Sequence, residues 1–186
     1  MLTIKNIFKL SILFVLLHWS NLSAQEFSKI SLADFENINF NTRITLKELI
    51  AVKDYEAKLE SLFGPPLSKQ VQMDFMSLRN GRINYNGFHL RFTLNDEIRH
   101  LVLTKSSNIL YYKGHQLKVG MSLNKIEQLF KKSYDNRYVV TISGENFNLI
   151  KVDAHPLGSG PPLILFEYEP THRIVTEISV SFETSR

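Results

Sequence analysis

Histidine, serine and carboxylate are the side chains here that could do acid–base, nucleophilic or metal chemistry, because the 186 residues include no cysteine. Beyond residue 24 the histidines are His89, His100, His115, His155 and His172. None pairs in an H-E-x-x-H or similarly tight spacing, and no thiolate supplements them, so a closed zinc site has no sequence support. The nearest thing to a ligand pair is "DAH", where Asp153 and His155 stand two apart and would point the same way in an extended segment. They could hold a metal ion or a water, but a metal needs a third and fourth group from elsewhere in the chain. Ser159 sits in "GSG" without the second spacer or the strand–turn–helix context of a nucleophile elbow. No glycine-rich loop opens a helix to cradle phosphate. Aspartates and glutamates are scattered over outward strand positions, with no pattern that marks a glycosidase pair. Two function classes therefore stay open: a protein-binding module that uses no cofactor, and a small exported hydrolase or metal-binding protein built on Asp153 and His155.

The binding class has its own candidates. Tyr111 and Tyr112 are adjacent, so on a strand one ring faces a core and the other faces outward. An outward tyrosine near Arg99, Lys113 or His115 would suit a protein interface, where Tyr and Arg act as anchors. Arg99, Tyr111, Tyr112 and His115 are the candidate interface residues. His89 and Arg91 alternate with Phe88 and Phe92 and are expected on a solvated face. Stacking on sugars would fall to tyrosine, since the one tryptophan, Trp19, lies near the N-terminus.

That N-terminus reads as a secretory signal. Lys5 and Lys9 precede an apolar run over residues 10–17, and Ser23 and Ala24 form a small-residue exit, so cleavage is expected after Ala24. The run is shorter than the roughly 20 apolar residues that span a membrane. The chain has 22 Lys+Arg against 18 Asp+Glu; without the two signal lysines, 20 remain against 18, a net charge of +2. No basic stripe with interleaved aromatics appears, so nucleic-acid binding lacks its footprint. Gln25 occupies the junction where a lipoprotein needs cysteine. The expectation is a periplasmic or secreted protein without a lipid anchor, whose partner is another protein in the envelope or outside the cell.

These residues must be positioned by helices and strands that the chain announces by period. "TLKE" at residues 45–48 has capping-box form, and Leu46, Leu49 and Ile50 follow with helical spacing. Asp54 offers a second cap before Tyr55, Leu59, Leu62 and Phe63, and Gly64-Pro65-Pro66 stops the helix. From Val71 the period becomes two, "RNGR" at residues 79–82 predicts a type I′ hairpin turn, and Asn95-Asp96 the next turn. "NILYYKGHQLKVG" reads as one strand. Ser122 then caps a stripe of Leu123, Ile126, Leu129 and Phe130 that ends near Asn136. More strands follow, the last with Ile174, Ile178, Val180 and Phe182 facing in. Runs of antiparallel strands with helices grouped apart predict an α+β fold.

"KLESLF" at residues 58–63 and "KIEQLF" at residues 125–130 open two similar blocks of helix then strands. "LRFTLNDEIRHLVL" also resembles "LFEYEPTHRIVTEISV", with Phe92 matching Phe166 or Tyr168 and Ile98 matching Ile174, and extra loop at "DAHPLGSGPP". The expectation is two related modules, residues 25–107 and 108–186, each a short helix or helix pair on an antiparallel sheet of three to four strands. They could share one continuous domain. "LKVGMSLNKIEQLF" resembles the G-M-S/T-x-x-x-I/V-x-x-L-L/F helix start of the BamE (SmpA/OmlA) outer-membrane assembly proteins, through Gly120, Met121, Ser122, Ile126, Leu129 and Phe130. The same helix-then-sheet module occurs in tandem in the secreted β-lactamase inhibitor proteins. In the first block Leu59, Leu62, Phe63, Gly64 and Pro65 match. The resemblance implies a fold and leaves function to be argued from a site. This chain lacks the cysteine of BamE lipoproteins and the disulfides usual in the inhibitors.

Overall fold

Side chains that alternate in and out dominate the chain after residue 67, and strands make up nearly half of the described residues. The computed structural model describes residues 27–52, 55–73, 79–92, 97–154 and 161–182. The expected signal segment, the cap at Asp54, the turn at Asn95-Asp96, His155 and Ser159 lie outside those residues.

The described chain opens with β1 (Ser28–Lys29), α1 (Leu32–Glu36), β2 (Asn39–Phe40) and β3 (Ile44–Thr45). Thr45 then caps α2 (Leu46–Ala51) reciprocally. Its hydroxyl accepts from the Glu48 N–H at 3.2 Å, while the Glu48 carboxylate accepts from the Thr45 N–H at 2.8 Å. Next, α3 (Tyr55–Phe63) ends at Gly64, whose φ of +78° leaves the helical path before two prolines. Four strands follow: β4 (Ser68–Met73), β5 (Arg79–Tyr85), β6 (Phe88–Phe92) and β7 (Ile98–Leu103). A short hairpin, β8 (Ile109–Tyr112) and β9 (His115–Lys118), leads to α4 (Leu123–Leu129) and α5 (Lys131–Asp135). The chain ends in β10 (Tyr138–Ile142), β11 (Glu145–Asp153), β12 (Leu163–Glu169) and β13 (Ile174–Ser181).

Strands β4 to β7 form one up-and-down meander and β10 to β13 another. Their last strands pair antiparallel, Ile178 opposite Leu103 and Val180 opposite Leu101, which fuses both meanders into a nine-stranded sheet that β1 joins parallel to β11. A second sheet of four short strands runs β3-β2-β8-β9. The fold is thus α+β with antiparallel sheets, as the alternation implied.

One hydrophobic cluster lies between the helices and one face of the large sheet. Leu59 of α3 and Ile126 of α4, the equivalent apolar positions of "KLESLF" and "KIEQLF", are both 0% exposed. Each fully buried side chain of this size stabilises the fold by about 1.5–3 kcal/mol. The "GMS" start of α4 is clipped to the sheet: Gly120, at φ +84°, donates to the Val175 carbonyl at 2.8 Å, and Val175 donates to Met121 at 2.9 Å. Ser122 is the N-cap by backbone conformation, though its side chain makes no capping bond.

Several sequence expectations are corrected. "RNGR" is not a turn but the start of β5, where Gly81 pairs with Phe92 and a Cβ would overlap the Phe92 ring. Glycine is needed there for close approach, not for positive φ. The type I′ conformations fall instead at Lys113-Gly114 (φ 47° and 79°) and Ser143-Gly144 (φ 52° and 81°). The first of these splits the expected single strand into β8 and β9. At the far end Ile174 is 36% exposed, and Val175 takes the core position. The cause is a bulge. Glu167 faces Glu177 while Tyr168 faces Val175, so Thr176 is an extra residue that shifts the alternation. A like bulge sits in the first meander, where Arg91 faces His100, Phe92 faces Ile98 and Arg99 is extra. In pairing terms Phe92 therefore corresponds to Tyr168, and Ile98 to Val175 in place of Ile174.

Candidate functional site

Between the core positions of β5, β6 and β7 lie residues that point to the face of the large sheet away from the core cluster. Arg82 and Asn84 alternate with Ile83 and Tyr85, His89 and Arg91 with Leu90 and Phe92, and His100 with Leu101. Strand register sets them in rows: Arg82 opposite Arg91, Arg91 opposite His100, His100 opposite Ser181, and Asn84 opposite His89. Glu177 and Ser179 continue this face on β13. Toward β12 and β11 buried Val102, Leu163, Leu165 and Leu149 share this face with Glu167, opposite Glu177, and with the Lys151–Asp153 ion pair.

The polar rows are crowded, not solvated as the alternation alone suggested. His89 is only 5% exposed, because long side chains from the neighbouring strand lie against it. Arg82 donates from Nε to Asn84 Oδ1 at 2.7 Å and from a terminal nitrogen to His89 Nδ1 at 3.0 Å. Asn84 passes the chain on, donating to Ser68 Oγ at 2.9 Å. A guanidinium can only donate, so His89 accepts at Nδ1 and carries its proton on Nε2. Among the described residues that Nε2–H is buried without an acceptor, and so are the Nε–H groups of Arg91 and Arg99.

Charge follows from the same packing. Burial, then the positive charges of Arg82 and Arg91, push His89 down to about 3, and burial with Arg91 and Arg99 pushes His100 down to about 3. Burial also lowers Arg91 to about 10 and Arg82 below its ordinary value. Glu177 is raised by burial against the pull of Ser179, Arg82 and Arg91. Both imidazoles are therefore neutral near pH 7, and the face carries the Arg82 and Arg91 guanidiniums on β5 and β6 and the Glu177 and Glu167 carboxylates on β13 and β12.

His100 Nδ1 and Ser181 Oγ lie 3.2 Å apart, close enough to suggest a nucleophile and its base. Their surroundings oppose that chemistry. A catalytic imidazole must become imidazolium, which a carboxylate stabilises, whereas Arg91 and Arg99 destabilise it here. The pair acts as a structural hydrogen bond across β7 and β13.

The residues singled out from sequence fall in separate places. Arg99 is the bulge residue of β7, with its guanidinium 3.9 Å from Glu97. Tyr112 packs on Phe130 with centroids 5.6 Å apart, while His115 faces it across the β8–β9 hairpin. Lys113 is held by Asp34 at 2.9 Å. Tyr111 takes the other side of β8 and lines a cleft of about 380 Å³ floored by Phe63, Tyr85 and Phe88. At the cleft's rim Asn41 donates to Asn108 at 2.9 Å and accepts from the Ile109 N–H at 2.7 Å, so these amides brace the loops. Three of the four candidates thus belong to the small sheet and one to the large.

Asp153 is 2% exposed and already has a counter-ion, Lys151 Nζ at 2.8 Å, which lies 5.0 Å over the Phe27 ring. Phe27 in turn meets Tyr138 edge-on at 6.2 Å. Among the described residues no three His, Asp or Glu side chains come together to hold a metal, and His155 is not among them.

No family model, curated protein or solved structure matches this chain. The polar rows of the outer face had one visible signal in the sequence. Every outward position in "RINYNGFHLRF" at residues 82, 84, 89 and 91 is Arg, Asn or His. Its meaning lay in the register of β5, β6, β7 and β13, which brings residues nearly 100 positions apart into one patch.

Proposed function

We propose that this chain is an exported partner-binding protein that docks another protein on the outer face of its large sheet, at Arg82, His89, Arg91, His100 and Glu177. The observation that carries this reading is the pair of buried donors His89 Nε2–H and Arg91 Nε–H, which meet no acceptor among the described residues. Each unsatisfied buried donor costs about 1–3 kcal/mol, which an acceptor brought by a partner would recover. Export is expected from the N-terminal segment; among the described residues no helix is long and apolar enough to cross a membrane.

A tandem duplication is part of the same proposal. In support, Ile83 faces Leu90 and Ile150 faces Phe166, and Ile83 and Ile150 are 67 residues apart, as are Lys58 and Lys125. The offset then grows across residues 154–162, where the β11–β12 loop is longer than the Asn86-Gly87 turn of the β5–β6 hairpin. The two bulges at Arg99 and Thr176 fit one ancestral hairpin. A BamE-like or inhibitor-like module used twice would have this order, with the joined sheet as its working surface. The alternative metal or hydrolytic site draws nothing from Asp153, whose carboxylate is occupied by Lys151.

Capture from the cells that make the protein tests the docking surface. The tagged full chain should retain a partner that disappears when Arg82 and Arg91 are both changed to Glu and persists when Tyr111 is changed to Ala. A partner lost with Tyr111→Ala and kept with the double change would move the site to the cleft.

A further inference from the structure

We infer that the group this face takes is a carboxylate, an acidic side chain of the docked protein, seated between the Arg82 and Arg91 guanidiniums and the Nε2–H of His89. The inference rests on the docking role proposed above and names its anchor.

The donor inventory points to an acceptor. Arg82 commits Nε to Asn84 and a terminal nitrogen to His89, which fixes its plane and leaves its remaining N–H groups uncommitted among the described residues. Arg91, directly across the strand pair from Arg82, makes no hydrogen bond among the described residues, and its Nε–H is buried. His89 stands two residues from Arg91 on the same face, about 7 Å away along the strand. Its Nε2–H is the third donor, and the bond from Arg82 holds the tautomer that presents it. A side chain that bears a proton there is no metal ligand. It can donate to an oxygen.

Charge selects the kind of oxygen. Arg82 and Arg91 stand opposite each other on β5 and β6, whereas the carboxylates of this face, Glu177 and Glu167, stand opposite each other on β13 and β12, so the Arg82–Arg91 end of the sheet holds an excess of positive charge. His89 and His100 add none near neutral pH. A carboxylate neutralises that excess, and its two oxygens suit forked donation from Arg. A phosphate dianion would bring two negative charges to a face that already holds Glu177 and Glu167. A neutral amide would answer one donor and leave the charge unbalanced. Arg82 and Arg91 are only half-buried, so the seat opens outward from the sheet.

The test uses protein purified from cells expressing the full chain. A capped Gly-Glu-Gly peptide, its Gly-Gln-Gly analogue and inorganic phosphate are titrated separately at fixed ionic strength. Arg Nε–Hε and imidazole nitrogen resonances are followed by NMR. The glutamate peptide should shift Arg91 Nε–Hε and His89 Nε2–H to saturation, with the glutamine peptide at least about tenfold weaker, the usual margin of a charge-assisted bond. Arg91→Gln should abolish the saturable shift, and Arg91→Lys, which keeps charge and packing, should weaken it by a smaller factor. Equal responses to the two peptides, tighter binding of phosphate, or no saturable shift with any of them would each overturn the carboxylate assignment. Partner capture separates the two levels. Capture lost with the Arg82 and Arg91 reversals, beside equal peptide responses, leaves docking and removes the anchor; capture indifferent to the reversals removes docking itself.

Discussion

Acidification from about pH 7.5 to about pH 5 is expected to cost the fold roughly 4 kcal/mol through His89 and His100, before any opposing effect. Both imidazoles are held near 3 in the folded protein against 6.5 for an unperturbed histidine, with burial the largest cause and neighbouring arginines the next. Between those values the unfolded chain binds protons that the folded chain refuses, so stability is full above pH 6.5 and falls as pH drops toward 3. At about pH 5 each unfolded imidazole gains about 2 kcal/mol from protonation, which gives the total. Glu177 works the other way. Its folded value is raised, so lowering the pH relieves its burial and offsets part of the loss. Against a total stability of about 5–15 kcal/mol, the remainder decides whether the molecule stays folded in mild acid. The assay is urea unfolding followed by far-UV circular dichroism, since Trp19 is the only tryptophan and lies in the expected signal segment. The midpoint should fall steeply with pH in the parent protein, about half as steeply in His89→Gln, and little in the His89→Gln, His100→Gln double variant. Parallel pH slopes in parent and double variant, or imidazole titrations centred near 6.5, would refute the reasoning.

Other perturbations test the frame around this face. Gly81→Ala should destabilise by about 1–3 kcal/mol because its Cβ meets the Phe92 ring. Adding Phe92→Leu should make the double change cost less than the sum of the two, as a thermal or urea double-mutant cycle would show. Leu59→Ala and Ile126→Ala should each cost about 2–5 kcal/mol, both positions being fully buried in the core cluster; a loss below about 1 kcal/mol at either would remove it from the core. Thr45→Ala opens the capping box of α2 and should cost about 1 kcal/mol in the same unfolding measurement.

What the sequence disclosed and what it hid divide along physical lines. Local rules worked where a local interaction decides the outcome, as at the Thr45 capping box, the Leu59 and Ile126 stripes, and the Gly64-Pro65-Pro66 stop. They failed where a neighbour distant in sequence decides. Asn80-Gly81 has the composition of a turn, yet the Phe92 ring claims the space above Gly81 and keeps it in a strand. Ile174 alternates correctly on paper, but the bulge at Thr176, visible only against Glu167 and Tyr168, turns it outward. His89 looked solvated because alternation tells which face a side chain takes and not how crowded that face is. The run "PLILF" carried a readable hint that both faces are covered near β12, since strands buried on both sides lose their alternation. Among the site residues, Arg99 was found for its chemistry and proved to be a bulge. Arg82 and Glu177 were missed, because only the order β5-β6-β7-β13 gathers them.

Site-specific photocrosslinking tests the central claim most directly. Gln70 lies opposite Arg82 on the exposed edge strand β4 and shares the outer face, whereas Gln128 is exposed on α4 across the core. A photoreactive residue at each position, in the full chain within the producing cells, reports which side meets a partner. Docking on the outer face calls for a discrete crosslinked species from position 70, lost when Arg82 and Arg91 are reversed, and none from position 128. A species from position 128 alone, or one from position 70 that survives the reversals, would contradict it.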